Sequence, residues 1–476
     1  MNAGRTVFLA GIATLAARPA LAWDPASTHA GLTERALAAS SFHATLAHQL
    51  GRALGSFEPL RIDLSTVEPD AGRSLKFRLE SLDSAGGYRP NAEGFATASA
   101  WVRAGAVLAK TPPERGRHHF FEPGKRTGLD DGPGLSGTLH AARLTMDDGA
   151  TVRDAATGQA FSLDGMPALD WLRSSQNDLG LTAFFENWTL AISAPQASQR
   201  ETALVRSLLA LGGILSVLQD AGQAAFVRND FRGEFLAHDS GSAFERFVAD
   251  RYGSVSLPPA SPPIVRADLD SFFVASDGKG LAQTTQRRFF SPGTLPKDFR
   301  FQASQPLAEL AREVNRTLKF GEPSVSALEL RHAGRTRYVV HEGLRVLAYR
   351  READQVHFFL DEAVYADVAR RWLPEVEGYA AGLVDHLLRA KLAIAVEEHR
   401  ATLTVGGVSV LAGASTTLRV FSEDAAGKRT ELASQVLQGN APMSFPLPKG
   451  ACKVAAFARG QDRAGEFVAA AEARVP

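Results

Sequence analysis

Side chains that could ligate a metal lie at three separate points of the chain. His29 begins a run with helical spacing, His119 closes the histidine pair in Arg-Gly-Arg-His-His-Phe-Phe-Glu-Pro, and Asp220 ends an apolar helical stretch. A neutral imidazole and a carboxylate are ligands that suit zinc. The ordinary alternatives are histidines that cap a helix or lie at the surface, and a carboxylate solvated at a helix end. If Asp220 is buried, it needs a cation or hydrogen-bond donors beside it.

The first 22 residues have the organisation of a cleavable secretory leader. Arg5 precedes an apolar run over 6–17, and Ala20-Leu21-Ala22 has the small-residue pattern that signal peptidase cuts. The apolar run is shorter than the roughly 20 residues that span a bilayer. Cleavage would leave a free α-amino group on Trp23, whose nitrogen and carbonyl oxygen could chelate a metal; a buried aromatic side chain is the alternative. We therefore expect an exported protein, periplasmic or extracellular.

Composition excludes several classes of function. Lys and Arg total 52, as do Asp and Glu, so no net field draws the chain to nucleic acid or an anionic membrane. The one cysteine, Cys452, excludes an intrachain disulfide, and we expect it to pack in the interior. The apolar stretch 208–218 is interrupted by two glycines and a serine, so no stable membrane span is predicted. The chain has no Walker-type phosphate loop and no Gly-x-Ser-x-Gly elbow.

Helical periodicity dominates from Trp23 to residue 397. Apolar residues recur every three or four positions at 29–37, 43–54, 201–220 and 360–395. Two excursions have β character: a hairpin at 151–163, and a second hairpin formed by 338–340 and 345–349.

From residue 398 the pattern changes to short, nearly alternating runs. Residues 402–405, 417–421 and 453–457 are of this kind, and glycine-containing turns separate them. A segment of this length suits a small β-sandwich. The predicted fold is mainly α, with a leader at 1–22, a multi-helix domain at 23–397 and a β-sandwich-like module at 398–476.

Together these features resemble the zinc-dependent phospholipase C and P1 nuclease superfamily, in its secreted bacterial branch. His119-Phe-Phe-Glu-Pro is similar to that family's His-Phe-Tyr-Asp-Pro motif. Residues 218–220 and Asn229 are similar to the end of its ligand-bearing helix and the loop that follows. Residues 244–248 are similar to its acidic ligand segment. The resemblance implies zinc-dependent phosphodiester hydrolysis. The metal ligands that it implies are Trp23, through its amino and carbonyl groups, His29, His119, Asp220 and Glu245.

Four ligand positions of that family hold other residues here. Ser216, Phe226 and Gly241 stand where the family has histidines, and Lys110 falls near the position of an acidic residue. Phenylalanine cannot ligate a metal. The resemblance places Trp23, His29 and Asp220 on one zinc, so one of three sites is expected to remain whole and fewer than three zinc ions to bind. Lys110 could direct positive charge toward a phosphate.

Two functions of different classes follow. One is an exported phosphoesterase that acts on phospholipid or another phosphodiester, with reduced metal content and weak or lost activity. The alternative is a non-catalytic pseudoenzyme that binds a lipid, glycan or protein, through the C-terminal module among other surfaces. The number of bound metals distinguishes them, because an active site of this family needs several converging histidines.

Overall fold

A computed structural model describes residues 25–82, 88–111, 113–129, 144–146, 151–154, 160–162, 165–231, 243–251, 261–302, 304–306, 309–310, 312–314, 336–410 and 415–476. The predicted leader, Trp23 and Gly241 lie outside these residues.

The first part of the chain is helical, as predicted. Its α-helices are α1 Ala30–Ala39, α2 Phe42–His48, α3 Pro69–Glu80, α4 Ala98–Leu108, α5 Ala168–Arg173, α6 Leu181–Ser193, α7 Ala197–Asp220, α8 Ala224–Val227, α9 Ala243–Arg251, α10 Leu269–Phe273, α11 Leu281–Arg288 and α12 Glu362–Leu387.

Helix α7 is the centre of this helical domain. A reciprocal capping box between Gln196 and Gln199 starts it, and from Thr202 onward nearly every side chain is buried against α4, α6 and α12. The crossing with α4 is close: a Cβ on Gly212 would lie 1.9 Å from the Val102 carbonyl oxygen. Two backbones can approach to this distance only where a side chain is missing.

Helix α7 is also long and apolar enough to cross a membrane, and no other helix in the described ranges is. The prediction from 208–218 alone missed this, because the helix runs from Ala197 to Asp220. Within the protein, 89% of its apolar window is buried. That degree of burial is ordinary for the core helix of a globular protein.

Helix α12 ends earlier than the sequence periodicity predicted. It stops at Leu387, and residues 391–397 form a strand instead of continuing the helix to 395. This strand pairs in antiparallel register with the next one, Lys391 opposite Gly406 and Glu397 opposite Arg400. The sheet therefore starts before residue 398, the predicted beginning of the module.

The strands of the described chain form several antiparallel sheets. They are β1 Pro59–Arg61, β2 Phe95–Thr97, β3 Leu144–Met146, β4 Thr151–Asp154, β5 Ala160–Ser162, β6 Phe299–Arg300, β7 Arg337–His341, β8 Leu344–Glu352, β9 Gln355–Phe359, β10 Lys391–Glu397, β11 Arg400–Gly406, β12 Thr416–Glu423, β13 Arg429–Leu437, β14 Met443–Pro446, β15 Lys453–Asp462 and β16 Gly465–Arg474. Both hairpins predicted within the helical part are confirmed, β4 with β5 and β7 with β8. The second belongs to a four-stranded sheet in the order β6-β9-β8-β7.

The C-terminal module is a β-sandwich. One sheet has the order β10-β11-β14 and the other β13-β12-β15-β16, and side chains such as Leu403, Val420 and Phe467 fill a shared core between them. The other face of the larger sheet packs on the helical domain through Phe421 and Phe457. Cys452 is exposed, so the prediction that it packs in the interior was wrong.

Candidate functional site

Four elements of the helical domain bring ionisable side chains to one buried point. His29 ends a π-helical turn, Pro25–His29, that leads into α1; Lys110 follows the end of α4. His119 ends the 3-10 turn Pro113–His119, and Asp220 is the last residue of α7. We call His29, Lys110, His119 and Asp220 the buried cluster. Each is at most 1% exposed.

The carboxylate of Asp220 is the hub of the buried cluster. Lys110 Nζ lies 2.9 Å from each of its two oxygens. His119 Nδ1 lies 2.6 Å from Oδ2, and the Gln223 side-chain amide donates to Oδ1 at 2.8 Å. One buried negative charge thus has a cation and further donors around it, which is what burial of an isolated carboxylate requires.

The His29 ring is oriented by the residue that precedes Asp220. His29 Nδ1 lies 2.6 Å from Gln219 Oε1, and the Gln219 amide nitrogen donates to Thr33 Oγ1 at 3.0 Å. Because that oxygen can only accept, Nδ1 carries the proton. His29 Nε2 lies 3.2 Å from Asp220 Oδ1, within ion-pair distance, but the angle does not give a hydrogen bond.

Lys110 also contacts an aromatic face. Its Nζ lies 4.5 Å from the centroid of the Phe226 ring, which stacks on Phe120 at 4.4 Å. A cation over a desolvated aromatic ring is stabilised by about 2 kcal/mol. Lys110 and Phe226, which the resemblance predicted to replace ligands, therefore contact each other and hold a positive charge beside Asp220.

Electrostatics keep Asp220 charged and His119 neutral. Burial disfavours the charge on Asp220, but the Lys110 ammonium, the His29 ring and the hydrogen bond from His119 hold its pKa well below the ordinary value. Burial lowers the pKa of His119 to about 4, although its bond to Asp220 opposes this. At neutral pH His119 is thus a neutral ring that donates its Nδ1 proton to Asp220.

Three of the five predicted metal ligands, His29, His119 and Asp220, meet in the buried cluster. Glu245 is buried as well, 2% exposed, on α9, a helix that packs against the turn carrying His29. Trp23 lies outside the described residues. The suggestion that Lys110 faces a phosphate was wrong, because its ammonium binds the Asp220 carboxylate instead. One feature of the sequence could have predicted the Lys110–Asp220 pair. Lys110 stands where the resemblance leads one to expect an acidic residue, and Phe226 stands where it leads one to expect a histidine.

The residues of the buried cluster do not fit a zinc ion as they stand. A zinc ion on either Asp220 oxygen would sit at about 2.1 Å from it, and so within about 5 Å of Lys110 Nζ. A divalent ion and an ammonium at that separation repel by about 7 kcal/mol at an effective dielectric constant of about 20. Accordingly, no group of three or more His, Cys, Asp and Glu side chains in the described chain is arranged to hold a metal.

The chain was compared with family models, curated proteins and solved structures. No family model and no curated protein matches the chain. Among solved structures, the Clostridium perfringens alpha-toxin isolated from an avian strain is similar at 10% identity and a TM-score of 0.27, over 96% of this chain and 100% of that one. A TM-score of this size does not establish a shared fold, so the interpretation of the site depends on its own geometry.

Proposed function

We propose that this protein is an exported relative of the phospholipase C and P1 nuclease superfamily that has lost zinc-dependent phosphodiester hydrolysis and works as a binding scaffold. One observation carries the proposal: Lys110 Nζ lies 2.9 Å from both oxygens of Asp220. In the relatives that the sequence resembles, the corresponding aspartate binds metal. Here its charge is already neutralised by a side chain of the protein itself.

The burial of the cluster, which keeps a substrate away from Asp220, supports the same proposal. Hydrolysis needs a nucleophile and electrostatic stabilisation at a point that the substrate reaches. The side chains of the buried cluster are at most 1% exposed, and the apolar rings of Phe120 and Phe226 lie beside them. Within the described part of the chain, Asp220 is therefore not accessible to a phosphodiester without a rearrangement of the core.

A second candidate function, hydrolysis with a reduced metal set, is favoured by one specific observation. His29 Nε2 and His119 Nε2 are buried without a hydrogen bond to the described residues. Both are nitrogens of the type that binds zinc. If Lys110 moved away, His29 Nε2 and Asp220 Oδ1, 3.2 Å apart, would be two adjacent ligand atoms.

The two functions are separated by metal content and phosphodiesterase activity. We would express the chain from Trp23, load it with zinc, remove excess metal and measure zinc per chain by plasma mass spectrometry. Activity would be measured on phosphatidylcholine vesicles and on bis-p-nitrophenyl phosphate. The proposal expects well under one zinc per chain and no turnover above buffer.

Three variants, one of them a control, make this experiment decisive. Lys110→Asp removes the ammonium and restores an acidic side chain, so we expect it to gain zinc; Lys76→Met, at an exposed position on α3, serves as the lysine control. One zinc or more in the unmodified chain, lost in Asp220→Asn, would overturn the proposal. Turnover on either substrate that requires zinc would do the same and favour the second candidate.

A further inference from the structure

An open groove of about 520 Å³ lies between the helical domain and the β-sandwich. One wall is the end of α6 with the first turns of α7, including Leu190 and Arg206. The other is the face of β12 and β13, including Arg419 and Glu431. Sites for small molecules occupy about 300–1,000 Å³, so this groove has the volume of a ligand site.

A buried ionic network holds the two walls together. Glu423 on β12 accepts from Arg200 on α7 at 3.1 Å and from Arg429 on β13 at 2.8 Å. Arg429 also donates to the Ile192 carbonyl on α6 at 2.6 Å and to Glu472 at 2.6 Å. Because these contacts cross the domain boundary, the groove is formed before any ligand arrives, which reduces the entropic cost of binding.

Arg206 places a positive charge in the groove wall without a direct ion pair in the described chain. It is half-buried, and within the described chain it has no hydrogen bond or ion pair. Burial lowers its pKa, and the carboxylates of Asp178 and Glu186 only partly oppose this. Asp178 is already bound by Arg78 at 2.5 Å and Arg115 at 2.8 Å. A half-buried guanidinium whose N–H donors bind no carboxylate directly within the described chain can bind an anion.

Arg419 supplies a second guanidinium on the opposite wall. It lies over Phe421 at 5.3 Å and Phe457 at 5.8 Å, and it forms a bidentate pair with Glu431, in which Nε donates to Oε1 at 3.2 Å and Nη2 donates to Oε2. The side chains of Arg419 and Glu431 are 38% and 36% exposed. A guanidinium has five N–H donors, so the aromatic rings orient it while donors remain for a ligand.

The groove also has an apolar surface. Leu190 is 46% exposed, an unusual degree for a leucine on a helix that packs in the core, and Pro195 and Ala203 lie in the same wall. Burying such a side chain against a ligand contributes about 25 cal/mol per Å² of apolar area. The groove thus combines cationic groups with an aliphatic surface.

We infer that this groove binds a small amphipathic anion, whose carboxylate or phosphate is held by Arg206 and Arg419 while its apolar body covers Leu190. The anion has two possible sources, a fatty-acid-type carboxylate or the phosphate of a lipid monoester. The inference goes beyond the proposed function, because it assigns a ligand class and a place. It shares no residue with the buried cluster, so either can fail without the other.

Isothermal titration with matched probes tests the inference. Decanoate and decyl phosphate present the two anionic groups, decanol is the uncharged control, and acetate and inorganic phosphate lack the apolar body. We expect saturable binding of decanoate or decyl phosphate, whichever group is correct, and much weaker binding of the three controls. The tighter of the two decyl anions identifies the source of the ligand.

Two variants locate the binding in the groove. Arg206→Gln should weaken binding about tenfold to a hundredfold, the loss expected when a charge-assisted hydrogen bond is removed, and Leu190→Ser should weaken it about fivefold. Arg73→Gln, at an exposed helix position, should leave binding unchanged. Urea midpoints close to that of the unmodified chain would show that both groove variants fold. No binding of either decyl anion, equal binding of decanol or of inorganic phosphate, or unchanged affinity in Arg206→Gln would each overturn the inference.

Discussion

Replacing Lys110 with methionine removes one charge of the buried pair while keeping a side chain of similar length. Two unit charges at the observed 2.9 Å attract by about 6 kcal/mol at an effective dielectric constant of about 20. Desolvation of both groups offsets part of this, and breaking a buried pair by removing one partner typically costs about 3–5 kcal/mol. We therefore expect Lys110→Met to lower the free energy of unfolding by about 4 kcal/mol, measured by urea denaturation at pH 7.5.

A double-mutant cycle isolates the pair itself. Asp220→Asn alone should also destabilise, but the double variant Lys110→Met/Asp220→Asn should lose far less than the two single losses together, because no unpaired charge remains. Lys76→Met, whose side chain is 65% exposed, should change stability by less than about 0.5 kcal/mol. A loss below about 1 kcal/mol for Lys110→Met, or strictly additive effects, would refute the assignment of Lys110 as the cation that compensates Asp220.

The buried rings and the close helix crossing give three more predictions. The protein should become less stable as the pH is lowered. The pKa of His119 is about 4 in the fold against an ordinary 6.5, so His119 is protonated at a higher pH in the unfolded chain than in the folded protein. The contribution of His119, about 3 kcal/mol at most, is present above pH 6.5 and lost as the pH falls toward 4; urea unfolding across this range checks it, and a curve as steep in His119→Gln would contradict it. Phe226→Leu should cost about 2 kcal/mol in urea unfolding, because Lys110 loses its ring and a small cavity opens, whereas a loss no larger than at an exposed phenylalanine would argue against the contact. Gly212→Ala should lower the thermal midpoint by several degrees, because the new methyl group would overlap the Val102 carbonyl, and an unchanged midpoint would mean that the helices are farther apart.

Sequence periodicity located the long elements of the fold and failed where two tendencies compete. Residues 388–397 contain three alanines and two leucines, which are good helix formers, and their spacing extended the predicted helix to 395. In the structure the same residues pair with β11, and Leu392 enters the sandwich core. Strand pairing and burial in the sandwich core outweigh the intrinsic helix propensity of these residues. Neither effect can be predicted from a short stretch of sequence, because both depend on residues that are distant along the chain.

The site was predictable in its members but not in its chemistry. The resemblance to a known superfamily brought His29, His119 and Asp220 together as a hypothesis, because their types and spacing alone favoured ordinary structural roles. The partner of Asp220 was not found, because Lys110 is 110 residues away along the chain and only the crossing of α4 with α7 sets its distance. The groove at Arg206 was missed for a similar reason, since its second wall comes from the C-terminal module.

Under the proposed function, charge explains how one lysine would end a metal-dependent chemistry. A zinc ion held by one aspartate and neutral histidines leaves an excess positive charge, which attracts a phosphodiester and stabilises its transition state. Lys110 and Asp220 form a pair with no excess, and His119 adds none because its pKa is about 4. The pair satisfies the buried carboxylate without any ligand from solution. Under the proposed function, binding is left to surfaces such as the groove, where Arg206 makes no direct ion pair within the described chain and is only partly compensated by Asp178 and Glu186.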